Sequence, residues 1–180
     1  MAEPVAGPTI FTIGHSTRPI AGFLALLRQV DVDLVVDVRS IPRSRANPQF
    51  EGLALAAALT TAGVDYRWLP ALGGRRHRGR DALPSTNTFW RLPAFRDYAD
   101  YAQTAPFRAG LDALMALAER RRCAIMCAEA VWWSCHRRII ADYVLARGGR
   151  VGHIMGPGRV ASAILTPGVV EMPDGSLRYP

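Results

Sequence analysis

Short, nearly continuous apolar runs recur along this chain, separated by longer segments with helical periodicity. Residues 9–14 (TIFTIG), 33–38 (DLVVDV), 65–69 (DYRWL), 123–129 (CAIMCAE) and 150–154 (RVGHI) read as strands. Runs apolar at consecutive positions suit strands covered on both faces, the arrangement of a parallel sheet. Between them the pattern predicts helices over 18–30, with Thr17 as N-cap and Pro19 in the first turn, and over 50–63, where Gly63 provides a left-handed stop. Further helices follow over 93–102, 105–121 and 136–149. In the fourth of these five helices, Phe107, Leu111, Leu114, Met115 and Ala118 fall on one face and read as core. Residues 70–89 form a loop too long to be a mere connection, and VVEMPDGSLRY in the tail reads as a hairpin about Asp174 and Gly175. Alternating strands and helices predict a single α/β domain: a mostly parallel sheet of about five strands with helices on both faces, Rossmann-like or rhodanese-like. The domain spans 1–180, with 1–8 a flexible N-terminus and 155–180 a C-terminal tail or hairpin.

Composition narrows the chemistry. A chain of 180 residues, 49% hydrophobic, fits one globular core. No basic leader with an apolar core and no long apolar run is present, so the expectation is a cytoplasmic protein without a membrane partner. Three cysteines argue against a disulfide framework, and Cys123, inside an apolar run, reads as a small buried hydrophobe. The net charge is +7 and every basic residue other than histidine is arginine. Lysine Schiff-base chemistry is thereby excluded, while rigid guanidinium forks suited to phosphate or carboxylate abound. An anionic small molecule or a nucleic acid is the expected partner.

In a parallel sheet, ligands bind at the carboxyl ends of the strands. Each predicted strand delivers polar or reactive groups there: His15 and Ser16; Asp37 and Arg39; the loop containing Gly73, Gly74 and Arg75; Cys127 and Glu129; and His153. The richest segment is 127–138, CAEAVWWSCHRR. Cys127, ahead of a helix whose first turn carries Arg137 and Arg138, is expected to have a lowered pKa and to act as nucleophile. Glu129 and His15 are the acid–base candidates. Ser16, Asp37, Arg39, Gly73, Gly74, Arg75, Cys135, His136 and Arg137 are the candidate substrate-binding residues. Asp37 and Arg39 share one side of a strand, where pairing is the safer reading for Asp37. Gly14, Gly73 and Gly74 are expected to permit tight turns beside a ligand.

The segments TIGHS, VVDVRSIPRS, YRWLPALGGRR and MCAEAVWWSCHRRIIADYVLARGGRVGHI resemble, in order from Thr12 to Ile154, the domain of unknown function 488 family. That resemblance implies a small cytoplasmic protein and no particular reaction. The layout is also similar to rhodanese, more distantly. That likeness implies a sulfur-carrying thiol at Cys127 with Asp37 and Arg39 on a neighbouring strand, although here Cys135, His136 and Arg137 follow only after AEAVWWS.

Three functional readings therefore stand. The first is an enzyme, a cysteine-dependent transferase or hydrolase acting on an anionic, phosphate-bearing substrate without a cofactor. The second is a nucleic-acid-binding or repair-associated protein, in which the basic loop 73–80 follows phosphates and Trp90, Trp132 and Trp133 stack on bases. The third is a zinc protein using Cys127, Cys135 and His136, with His15 as a fourth ligand; its ligand spacing matches no common finger.

Overall fold

The computed structural model describes residues 7–79 and 81–180. Among these, a six-stranded mixed sheet carries five α-helices. In chain order the elements are β1 (Thr9–Gly14), α1 (Ile20–Arg28), β2 (Leu34–Asp37), α2 (Gly52–Thr61), β3 (Asp65–Trp68), α3 (Pro93–Tyr101), α4 (Ala105–Ala118), β4 (Cys123–Cys127), α5 (Arg137–Ala146), β5 (Arg150–Gly156) and β6 (Arg159–Ser162). A small hairpin, β7 (Val170–Glu171) and β8 (Leu177–Arg178), follows. The sheet order is β3-β2-β4-β1-β5-β6; all pairs are parallel except β5 with β6. No helix among the described residues is long and apolar enough to cross a membrane.

Side-chain alternation divides the core in two. Ile10, Leu34, Val36, Cys123, Ile125 and Val151 pack beneath α3, α4 and α5, while Phe11, Ile13, Val35, Ala124 and Met126 pack beneath α1 and α2. Handedness explains the division. The connections from β1 to β2 and from β2 to β3 run one way along the sheet, and those from β3 to β4 and from β4 to β5 run the other way. With right-handed crossovers, opposite directions place helices on opposite faces. The chain therefore leaves β2 and its neighbour β4 in diverging directions, and a crevice opens at their carboxyl ends.

The predicted stripe on α4 is core: Phe107, Leu111, Leu114 and Ala118 are buried, with Met115 packed beside them. Gly63 is left-handed at φ 74° and ends α2. The hairpin at Asp174 and Gly175 forms, with Gly175 at φ 77°. Other expectations need correction. Pro19, extended at ψ 145°, occupies the N-cap of α1 in place of Thr17. The tail also adds β6, turning through Pro157 and left-handed Gly158 to extend the sheet by an antiparallel edge; the GPG triplet was the available signal. Of the N-terminus expected to be flexible over 1–8, residues 1–6 lie outside the described residues, and the Pro8 carbonyl accepts a hydrogen bond from the Arg150 N–H at 2.9 Å.

Candidate functional site

The segment following β4 is anchored at both ends. Backbone bonds from His15 N–H to the Cys127 carbonyl (2.9 Å) and from Ser16 N–H to the Ala128 carbonyl (3.0 Å) prolong the β1–β4 pairing. The Glu129 carbonyl lies over Gly14, where a Cβ would sit 1.8 Å from its oxygen, so only glycine fits. Arg137, at the start of α5, donates to that carbonyl at 2.6 Å. A single 3-10 turn, Trp132–Ser134, then folds the chain back and sets Cys135 beside Cys127.

Cys135 and His136 face the same place despite being adjacent. Cys135 is extended (φ −133°, ψ 148°) and His136 helical (φ −57°, ψ −16°), which breaks the alternation that would send consecutive side chains apart. His136 Nε2 lies 2.9 Å from the Val38 carbonyl, an acceptor to which it donates, and Nδ1 faces Cys135 Sγ at 3.6 Å and Cys127 Sγ at 3.9 Å. Ligand atoms of Cys127, Cys135 and His136 all lie within 4.8 Å of one another.

Arg137 is 1% exposed and donates from Nε to Cys135 Sγ at 3.2 Å. No carboxylate among the described residues forms a salt bridge with it. A buried charge requires polar partners, and here they are the Cys135 sulfur and the Glu129 carbonyl. Burial alone would push the Cys135 thiol up; the hydrogen bond with Cys127, the His136 ring and the Arg137 charge outweigh it and hold Cys135 well below the ordinary thiol range. Cys127 goes the other way, raised first by donating its S–H to Cys135 and then by burial. The expectation of a lowered Cys127 pKa rests on Arg137 and Arg138; Arg137 donates to Cys135, and Arg138 turns away to Thr166 and the Trp90 ring. Cys123 is buried as anticipated, its thiol pushed up to about 11 chiefly by burial.

Above this floor is a cleft of about 280 Å³ in the β2–β4 crevice. Arg39, Gly74, Arg75, Cys127, Glu129, Cys135 and His136 line it, joined by Ser40, Ile41, Arg43, Ala94, Phe95, Tyr98, Ala128 and Ser134, which the sequence reading missed. Arg43 and Arg75 are exposed, and their guanidinium groups have no hydrogen-bond or salt-bridge partner among the described residues. Glu129 is exposed, and Ile41, Phe95 and Tyr98 contribute apolar surface to the same cleft.

Several candidates are committed elsewhere. Arg39 is spent on Asp37 (2.6 Å) and the Phe50 carbonyl (2.8 Å), and Asp37 also accepts from Tyr66 Oη at 2.7 Å. Arg39 thus lines the cleft with its charge paired, and the arginine of this loop that lines it without a partner among the described residues is Arg43. His15 stacks on Phe50 at 4.3 Å, bonds through Nδ1 to the Ser16 carbonyl and does not line the cleft; burial lowers its pKa. Ser16 likewise lies outside the cleft. His15 also stands outside the Cys127, Cys135 and His136 cluster. A Cβ on Gly73 would meet Ser40 Oγ at 2.6 Å, and one on Gly74 would meet His136 Nδ1 at 2.4 Å, so these glycines make room for protein atoms. His136 and Arg137 are occupied by the contacts above and are not exposed anion forks. His153, bonded to Thr12 at 2.8 Å and stacked on Trp132 at 4.3 Å, is pushed down to about 4, mainly by burial. Of the candidate stacking tryptophans, Trp90 is buried, Trp132 covers His153 and Trp133 is exposed. Arg80 of the basic loop lies outside the described residues.

Neither the curated proteins nor the solved structures contain a match to this chain. The pattern of a family described as Domain of unknown function DUF488 matches residues 19–144, a segment holding β2, β4, most of α5 and every residue lining the cleft. The chain belongs to that family.

Proposed function

We propose that this protein is an enzyme acting on a small anionic substrate, phosphate-bearing in the first instance, held in the β2–β4 crevice with its reacting centre over Cys127, Cys135 and His136. The observation that carries the reading is the pairing of two uncommitted guanidinium groups, Arg43 and Arg75, with a thiol and imidazole floor in one cleft. Guanidinium forks bind phosphate or carboxylate oxygens by charge-assisted hydrogen bonds. Ile41, Phe95 and Tyr98 give the substrate's apolar body a wall, as small-molecule sites commonly do. Glu129, exposed at the rim, is the candidate proton carrier.

The test is a thermal-shift screen of phosphate-, sulfate- and carboxylate-bearing metabolites against the wild-type chain and an Arg43→Ala/Arg75→Ala variant. Ligands are expected to raise the wild-type melting temperature, with at least tenfold weaker binding in the variant, about 1.4 kcal/mol. Turnover of the best ligand is then expected to vanish in Cys135→Ser with binding retained. Equal binding by wild type and variant would reject the arginine clamp. Tight, strongly salt-dependent oligonucleotide binding without any small-molecule hit would replace this reading by the nucleic-acid one.

A further inference from the structure

We infer that Cys127, Cys135 and His136 form a zinc site with three protein ligands and a fourth position open to the cleft. The inference deepens the enzyme reading above and rests on it for the role of the open position. Zinc–sulfur bonds of about 2.3 Å and zinc–nitrogen bonds of about 2.0–2.1 Å at tetrahedral angles place each sulfur about 3.6 Å from the nitrogen. The two separations here are 3.6 and 3.9 Å. The ring orientation is the one required: Nε2–H is held by the Val38 carbonyl, which leaves Nδ1, the nitrogen facing the sulfurs, as the atom that would bind the metal. A backbone carbonyl on the remote ring nitrogen is the usual outer support of a zinc-bound histidine.

Two further observations point to an ion. Arg137 donates to Cys135 Sγ from a fully buried position, an outer-shell contact suited to a metal-bound thiolate. The backbone is shaped around the cluster as well, since Gly74 leaves no room for a Cβ beside His136 Nδ1. Three ligands and an unfilled vertex are the pattern of catalytic zinc, whereas structural sites close with four. Here the vertex faces the cavity bearing Arg43, Arg75 and Glu129, so an anionic substrate oxygen or a water could take it. The chemical class of ligand at that position is an oxygen anion.

The experiment uses the full-length chain, reduced and stripped by a chelator, titrated with Co²⁺ and then displaced by Zn²⁺. One equivalent of Co²⁺ should give thiolate-to-cobalt charge-transfer absorption and the visible bands of tetrahedral cobalt. These should be retained in Cys123→Ser. In Cys127→Ser, Cys135→Ser and His136→Asn the affinity should fall by more than the roughly 10–100-fold that loss of an outer-shell partner costs. Circular dichroism confirms that each variant is folded, and Arg137→Met, which keeps all three ligands, should weaken Co²⁺ only by that outer-shell amount. Inorganic phosphate should shift the visible bands in the wild type and not in Arg43→Ala/Arg75→Ala. Absence of the spectrum at one equivalent, or its persistence in the ligand variants, overturns the site. An intact spectrum indifferent to phosphate overturns the open vertex. Metabolite binding by the stripped protein is a separate readout, so the zinc site can fail while the anion-binding cleft stands, and the reverse.

Discussion

Arg137 is the residue on which the local electrostatics turn. Among the described residues its buried guanidinium has a carbonyl and a sulfur as partners, a setting that favours the ionised form of that sulfur. In the metal-free, reduced chain, alkylation of Cys135 by a small haloacetamide should therefore show a midpoint below the ~8.5 of an ordinary thiol. Arg137→Met should raise that midpoint, as followed by mass spectrometry with Cys127 as internal comparison, and an unmoved midpoint would sever the link. His153 makes a second residue-scale prediction. Its folded pKa is depressed from 6.5 to about 4, so below 6.5 the unfolded state binds the proton more readily. The stability it contributes is complete above 6.5 and is lost as the pH falls toward 4, a difference on the order of 3 kcal/mol. His15, lowered in the same sense by burial, adds to the slope. Urea unfolding of His153→Gln should show a flatter loss of stability across pH 6.5 to 4 than the wild type; parallel profiles would refute the assignment.

At the scale of elements, the segment after β2 is held by the Asp37–Arg39 pair. Arg39 bridges from Asp37 to the Phe50 carbonyl, and Trp68 Nε1 on β3 donates to the Arg39 carbonyl at 2.9 Å, so one buried arginine ties this loop to the helical side of the sheet and to the edge strand. Arg39→Met leaves a buried carboxylate without its cation, and about 3–5 kcal/mol of stability should be lost; a urea midpoint within error of the wild type would show the pair to be dispensable. The pair also shows what was legible. Two residues apart at the end of a predicted strand, with the acid in an apolar run, Asp37 and Arg39 announce each other. The same reasoning marks Arg39 as spent and makes Arg43, the next arginine, the better candidate for the cleft. The convergence of Cys127 and Glu129 at the carboxyl edge was legible because parallel strands end together. The return of Cys135 and His136 was not, because it depends on the 3-10 turn Trp132–Ser134 and on a change from extended to helical backbone between adjacent residues, neither of which leaves a periodic signature. Tyr98 and Phe95 were illegible for another reason: α3 reaches the cleft by tertiary packing, and its apolar residues look like any core stripe.

Across the whole molecule, the matched segment ends at residue 144, and the core does not close there. Beyond it, β5 pairs with the central strand β1, and the tail returns over α5 to cover the α3–α5 side of the sheet. Tyr179 is the clasp. Its ring lies 5.1 Å from Trp90, its Oη donates to Asp142 at 3.0 Å, and its N–H donates to Asn87 Oδ1 at 2.9 Å, while Leu177 N–H reaches the Tyr143 hydroxyl at 2.9 Å. These contacts join the tail to α5, which starts directly after His136, and to the long segment that leads into α3, the helix carrying Phe95 of the cleft wall. Removing the clasp should therefore act on both stability and the site. Tyr179→Ala, which empties a fully buried aromatic position and leaves Asp142 without that donor, should cost about 3–5 kcal/mol. In urea unfolding this appears as a lower midpoint. Because Trp90 and Asn87 lose their cover, amide exchange should also quicken along residues 85–92 and at the start of α5, while β2 and β4 stay protected in the folded state. If exchange rises uniformly, the tail contributes only to global stability; if it rises at these two segments first, the tail holds the walls of the cleft against each other.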